Sequence, residues 1–133
     1  MTLLKPLKNV PERDHHGGPC VPGVQRLFVN VYGDLFPCER VSESSQVMKI
    51  GSLDEGFNIE NIRRILNIGK ITEEKCKNCW AFRFCQLCAA SADVITGFSA
   101  KKKMSHCNNV RASVEEAFKD YCTLRKLGHD FEV

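Results

Sequence analysis

Seven of the eight cysteines in this chain follow one spacing: Cys20-x12-Gly33-x4-Cys38, then Cys76-x2-Cys79-x5-Cys85-x2-Cys88, then Cys107. A buried cysteine behaves as a small hydrophobe, and packing gives it no reason to recur at such intervals. Thiolates that surround a metal do have one. A structural zinc takes four ligands in a tetrahedron, so seven thiolates would fill one site and strand three. Two four-iron clusters call for eight ligands, which seven nearly supply. In two-cluster ferredoxins the last cysteine of a tight run crosses to the other cluster. By the same geometry Cys76, Cys79 and Cys85 are expected to cap one cluster while Cys88 points away. The rival arrangement is a structural zinc module for protein contacts. It would use Cys76, Cys79, Cys85 and Cys88, leaving Cys20, Cys38 and Cys107 to pack or to bind a second ion.

The residues around these cysteines bear on that chemistry. Trp80, Phe82 and Phe84 lie between Cys79 and Cys85, where they can pack the core, keep water off a cluster, or both. Arg83 among them is expected to face solvent. The pair His15-His16, in a loop rich in glycine and proline, reads as exposed rather than as a ligand. Cys122, four residues beyond Phe118 on a helical stripe, reads as a core cysteine outside the ligand set.

The elements that must hold these ligands give a small α+β fold: a short N-terminal β-hairpin, then helices and metal-binding loops, stapled by metal. Residues 1–19 form a linker broken by Pro6, Pro11, Gly17, Gly18 and Pro19. Residues 20–110 carry the cysteine pattern. Within them Leu27–Tyr32 is β-prone, Gly33-Asp34 supplies a turn that tolerates positive φ, and Leu35–Cys38 returns, bringing Cys38 back beside Cys20. Residues 42–57 read mostly as loop, with a short extended piece at 47–51. Asn58 is an N-cap for a helix over Ile59, Ile62, Ile65 and Leu66, closed by Gly69. Thr72 with Glu73 and Glu74 starts another helix into the cysteine run. Residues 111–133 form a C-terminal amphipathic helix and tail, its stripe running through Val110, Val114, Ala117, Phe118, Tyr121, Leu124 and Leu127, with Gly128 as the stop.

Composition narrows the setting. The chain has 133 residues, enough for one domain with a modest core. Eight cysteines could form a secreted disulfide scaffold, but no signal-like apolar run opens the sequence, so a reducing cytoplasm with metal-bound thiolates is expected. A net charge of +3 is too small to argue for nucleic acid. The one basic run, Lys101-Lys102-Lys103, reads as a solvated loop, or more sharply as a docking spot for an acidic peptide. No stretch approaches the length of a membrane span.

The seven-cysteine spacing, together with Val31-Tyr32-Gly33-Asp34-Leu35-Phe36-Pro37-Cys38, resembles the SPASM domain over about residues 20–110. That domain is the C-terminal auxiliary part of radical S-adenosylmethionine enzymes that modify peptides and proteins, such as anaerobic sulfatase-maturating enzymes. The resemblance implies two [4Fe–4S] clusters, an outer one on Cys76, Cys79, Cys85 and Cys107 and an inner one on Cys20, Cys38 and Cys88. In air the same residues would hold zinc, or stand as empty or oxidised thiols. Some members add a cysteine upstream of the first. This chain has Asp14, His15 and His16 there, which leaves the inner cluster a non-cysteine ligand or an open iron. Several members also have three residues where this chain has two between Cys85 and Cys88. The C-x3-C-x2-C loop that holds the cofactor-cleaving cluster does not occur in this sequence. The resemblance therefore implies a C-terminal piece of a larger oxidoreductase, linked through residues 1–19 to a catalytic barrel and inactive alone, or a stand-alone cluster carrier. Its implied partners are the radical S-adenosylmethionine barrel of the same protein, a peptide or protein substrate and an electron-transfer protein; S-adenosylmethionine itself would bind only the full-length enzyme.

Overall fold

A computed structural model describes Gly18 and residues 20–131 of the chain. The histidine pair and nearly all of the 1–19 segment lie outside these residues. The first ordered unit is an antiparallel sheet of four very short strands in sequential order: β1 (Phe28–Val29), β2 (Asp34–Phe36), β3 (Gly51–Ser52) and β4 (Gly56–Phe57). The β1–β2 hairpin pairs Phe28 with Phe36 and Val29 with Leu35. Its turn is built by Asn30, whose side-chain oxygen accepts from the backbone N–H groups of Tyr32 and Asp34 at 3.0 Å each. Gly33 closes the turn at φ +81, the left-handed region that a side chain disfavours. The strand ends at Val29, so Val31 and Tyr32 stand exposed at the tip instead of continuing it.

The expectation of a single hairpin followed by loop needs correction. Residues 42–57 contribute two further strands, and β2 pairs β3 through Asp34 with Ser52 and Leu35 with Gly51. A salt bridge of 2.5 Å from Lys49 Nζ to Asp34 Oδ1 reinforces this edge. Gly51 makes the β3–β4 approach feasible: a Cβ there would lie 2.1 Å from the Gly56 carbonyl oxygen.

Helix α1 (Ile59–Leu66) starts where Asn58 accepts from the Asn61 backbone N–H at 3.0 Å. Asn61 in turn donates to the carbonyls of Gln46 and Lys49, tying the helix to the loop before β3. The helix ends at Leu66, ahead of the expected Gly69 stop, and a 3-10 stretch (Ile68–Thr72) carries the chain directly into α2 (Glu73–Cys76). One core joins these parts. Leu35, Phe36, Val47, Met48 and Ile50 from the sheet side pack against Ile65 and Ile68, and against Ala89 and Ala92 from a 3-10 turn just after Cys88.

The last two elements are α3 (Ala100–Ser105) and α4 (Cys107–Lys126). Ser99 caps α3 by accepting from the Lys102 backbone N–H, and its own N–H bonds the Ala92 carbonyl at 2.7 Å. The basic run expected in a loop is thus helical, and Lys103 is buried at 2 % exposure. Helix α4 buries only Val114 and Ala117; Phe118, Tyr121, Leu124 and Leu127 of its stripe remain partly or largely exposed. Cys122 is exposed too, which corrects its reading as a core residue. Gly128 at φ +84 ends the helix, with its N–H on the Arg125 carbonyl.

Candidate metal centre

Cys76, Cys79 and Cys85 of the tight run and the remote Cys107 line one cavity of about 530 Å³. Each arrives on a different piece of local structure. Cys76 ends α2, and the Cys79 backbone N–H folds back onto the Cys76 carbonyl at 3.0 Å. A 3-10 turn over Phe82–Phe84 delivers Cys85, and Cys107 opens α4. The rest of the wall is mostly apolar, with Trp80, Ala81, Phe82, Leu87, Met104 and Val110. Trp80 is nonetheless 55 % exposed, so it rims the cavity instead of sealing it. Phe84 meets Phe118 of α4 edge to face with ring centres 4.9 Å apart, locking the cysteine loop to that helix. Arg83 is exposed as expected.

The wall acts most clearly on Cys85. Burial pushes the Cys85 thiol above its ordinary value, and the neighbouring sulfurs of Cys76 and Cys107 push it the same way. Two features oppose that shift: the Leu87 backbone N–H, which donates to the Cys85 sulfur, and the Lys103 ammonium. Lys103 lies on the cavity wall, and its Nζ donates to Thr72 Oγ1 at 3.0 Å. The same oxygen accepts from the Cys76 thiol at 3.3 Å. Sequence reading missed Lys103 and Thr72 as parts of this site. The available signal was the spacing itself, since a lysine four residues beyond the Ser99 cap lies one turn into a helix.

Cys88 is absent from that wall. Its sulfur, like that of Cys38, is close enough to act on Cys20. Burial raises the Cys20 thiol first, and the nearby Cys88 and Cys38 sulfurs raise it further, against the pull of Arg26. Backbone packing agrees: a Cβ added to Gly18 would sit 3.7 Å from the Cys88 Cα. The sheet delivers Cys38, because the strand pairing that ends at Phe28 and Phe36 leaves it two residues past β2. An ion pair of 2.9 Å from Arg26 to Glu39 holds the segment after Cys20 against the segment after Cys38. Among the described residues no three His, Cys, Asp or Glu side chains gather as ligands of a single metal ion. No helix is long and apolar enough to cross a membrane among these residues.

Four thiols thus line one cavity, and outside it the Cys38 and Cys88 sulfurs both act on Cys20. No protein-family model, curated protein or solved structure matches this chain.

Proposed function

We propose that the protein is an auxiliary iron–sulfur domain that binds two [4Fe–4S] clusters and serves a radical S-adenosylmethionine enzyme that modifies a peptide or protein. The observation that carries this reading is the partition of seven cysteines. Cys76, Cys79 and Cys85 share one cavity with the remote Cys107, while Cys88, three residues beyond Cys85, lies outside that cavity and close enough to act on Cys20. A single zinc draws its ligands to one point. A cubane spreads its thiolates over four irons, so a ring of cysteines around a cavity suits it better than a convergent knot. Cys76, Cys79, Cys85 and Cys107 would hold the outer cluster, and Cys20, Cys38 and Cys88 the inner one.

When bound, such clusters supply one-electron transfer, or substrate coordination where an iron lacks a protein ligand. The chain's own residues set which of these is open to each site. Four thiols close the outer centre, and Phe82, Met104 and Val110 supply apolar wall beside the cations Lys75, Lys103 and Arg111, which suits electron relay. Three thiols leave the inner centre a position for another ligand, suited to a substrate group such as a peptide thiol. The sequence holds no cofactor-cleaving C-x3-C-x2-C loop, so the barrel that generates the radical is the partner on this reading. An electron-transfer protein would complete the relay.

Anaerobic reconstitution with iron and sulfide tests the proposal. The expected product is brown, with broad thiolate-to-iron absorption and about eight irons per chain. Cys107→Ser and Cys88→Ser should each remove about half the iron, from different clusters, whereas Cys122→Ser should remove none. A colourless protein that instead binds zinc stoichiometrically would mean a structural zinc module.

A further inference from the structure

Lys103 is a fully buried cation: it is 2 % exposed, and no Asp or Glu of the described residues forms an ion pair with it. An ammonium is stable in a protein interior only when paired and hydrogen-bonded. Its hydrogen-bond partner among the described side chains is the Thr72 hydroxyl, at 3.0 Å, and a neutral oxygen does not balance a charge. The thiols of the same cavity would supply the balancing negative charge once they ligate a cluster. Lys103 and Thr72 line that cavity together with Cys76, Cys79, Cys85 and Cys107. The backbone presents Lys103 there deliberately: Ser99 caps α3, and the next turn directs residue 103 inward between the 3-10 stretch of Ile68–Thr72 and the cysteines.

We propose that Lys103 and Thr72 form a charge-compensating relay that neutralises and tunes the four-cysteine centre, acting on it through the Cys76 sulfur. This rests on the cluster reading of that centre. Thr72 Oγ1 stands between Lys103 Nζ and Cys76 Sγ, 3.0 Å from one and 3.3 Å from the other. With Cys76 protonated, the oxygen accepts from both. Once ligation has removed the thiol proton, the hydroxyl hydrogen is free to turn toward the sulfur. The result is a one-way chain, from the ammonium N–H to the hydroxyl oxygen and from the hydroxyl O–H to the thiolate. Hydrogen bonds to ligand sulfur and nearby positive charge both favour the more negative, reduced state. Lys103 supplies the charge and Thr72 directs it; both are positioning residues that need not touch iron.

The test is an EPR-monitored titration, with dithionite as reductant, of the reconstituted wild type and of Lys103→Met, Lys103→Arg, Thr72→Val and Thr72→Ser. Lys103→Met should lower the midpoint potential of the outer centre by about 59 mV or more, a tenfold loss in the one-electron reduction equilibrium. Thr72→Val should shift it the same way by less, while Lys103→Arg and Thr72→Ser stay near the wild type. A Lys103→Met protein that loads fully and shifts the equilibrium by less than twofold overturns the proposal. If Lys103→Met fails to load, Lys103→Arg decides: loading by Arg supports a requirement for charge, and failure of both shows that lysine is there for its shape, which overturns it. Failure of the wild type to assemble a cluster is a different result, because it removes the cluster reading itself.

Discussion

Asp93 shows how one side chain can hold two parts of this fold in register. Its Oδ1 accepts from the buried Ser45 hydroxyl at 2.8 Å and from the Ile95 backbone N–H at 2.7 Å, and its backbone carbonyl accepts from Lys102 Nζ at 2.5 Å. Ser45 belongs to the loop before β3, and Asp93 directly follows the turn that leaves Cys88. Replacing Asp93 with Ala would leave the Ser45 hydroxyl and the Ile95 N–H unsatisfied in or near the core. Each such orphan costs about 1–3 kcal/mol, so the expected loss is about 3 kcal/mol in chemical denaturation, with a smaller loss for Asp93→Asn. Ile95 is held at φ +73, a conformation that a β-branched residue rarely adopts, and half its surface is exposed. Relieving that strain is worth about 1–3 kcal/mol, and glycine gives back about 0.4–1 kcal/mol through the unfolded chain. Ile95→Gly should therefore stabilise the protein by about 1 kcal/mol, read as a higher thermal midpoint; a destabilised Ile95→Gly would mean that the side chain contributes packing that outweighs the strain. Neither residue stands out in the sequence, because both act through partners about fifty residues away or through one torsion angle.

At the level of elements, legibility tracked the length and chemistry of the signal. The β1–β2 turn could be read because Gly33-Asp34 sits between apolar runs, and α1 because Asn58 precedes a stripe spaced at helical intervals. Strands β3 and β4 could not. Each has two residues, one of them glycine, so there is no alternation to read and the pairing becomes visible only through the partners. Lys103 was hidden for another reason: three consecutive lysines read as solvated, whereas a helix sends neighbouring residues to different faces. The expectation that Cys88 points away from Cys76, Cys79 and Cys85 was legible in the spacing, and Cys88 is absent from the wall that those three line. Gly51 gives the sharpest test of the β3–β4 pairing. It has φ +152, and a Cβ would lie 2.1 Å from the Gly56 carbonyl oxygen and 2.9 Å from Phe57 Cα, both backbone atoms that cannot swing aside. Gly51→Ala should cost about 2 kcal/mol or more by separating the strands. Gly56→Ala is the control: at φ +76 with no atom within 4 Å of the added Cβ, it should cost only the left-handed penalty of about 1–2 kcal/mol. Equal losses for the two would argue against the close approach.

Over the whole molecule, apolar burial is uneven in a way that predicts where stability depends on bound metal. The main core draws on residues 35–68 and on Ala89 and Ala92. Between them, from Glu73 to Cys88, Ala81 is the one buried hydrophobic residue. That stretch is made of one-turn helices and 3-10 turns, which are marginal without outside support. It nonetheless contributes four of the seven patterned cysteines. Ligands from α2, the Cys79–Cys85 loop and α4 would tie it to the remainder, and binding to the folded state alone stabilises that state by linkage. Helix α4 is intermediate, long but with Val114 and Ala117 as its buried residues and with Phe118 against Trp80 and Phe84. Amide hydrogen exchange on apo and reconstituted protein should separate these layers. Residues 73–88 are expected to exchange freely without metal and to gain protection with it, the α4 segment to gain less, and the core around Phe36, Ile50 and Ile68 to change least. Equal protection of residues 73–88 in both states would show that the loop folds on its own, and the cysteines would then be passengers on a preformed structure rather than part of what holds it.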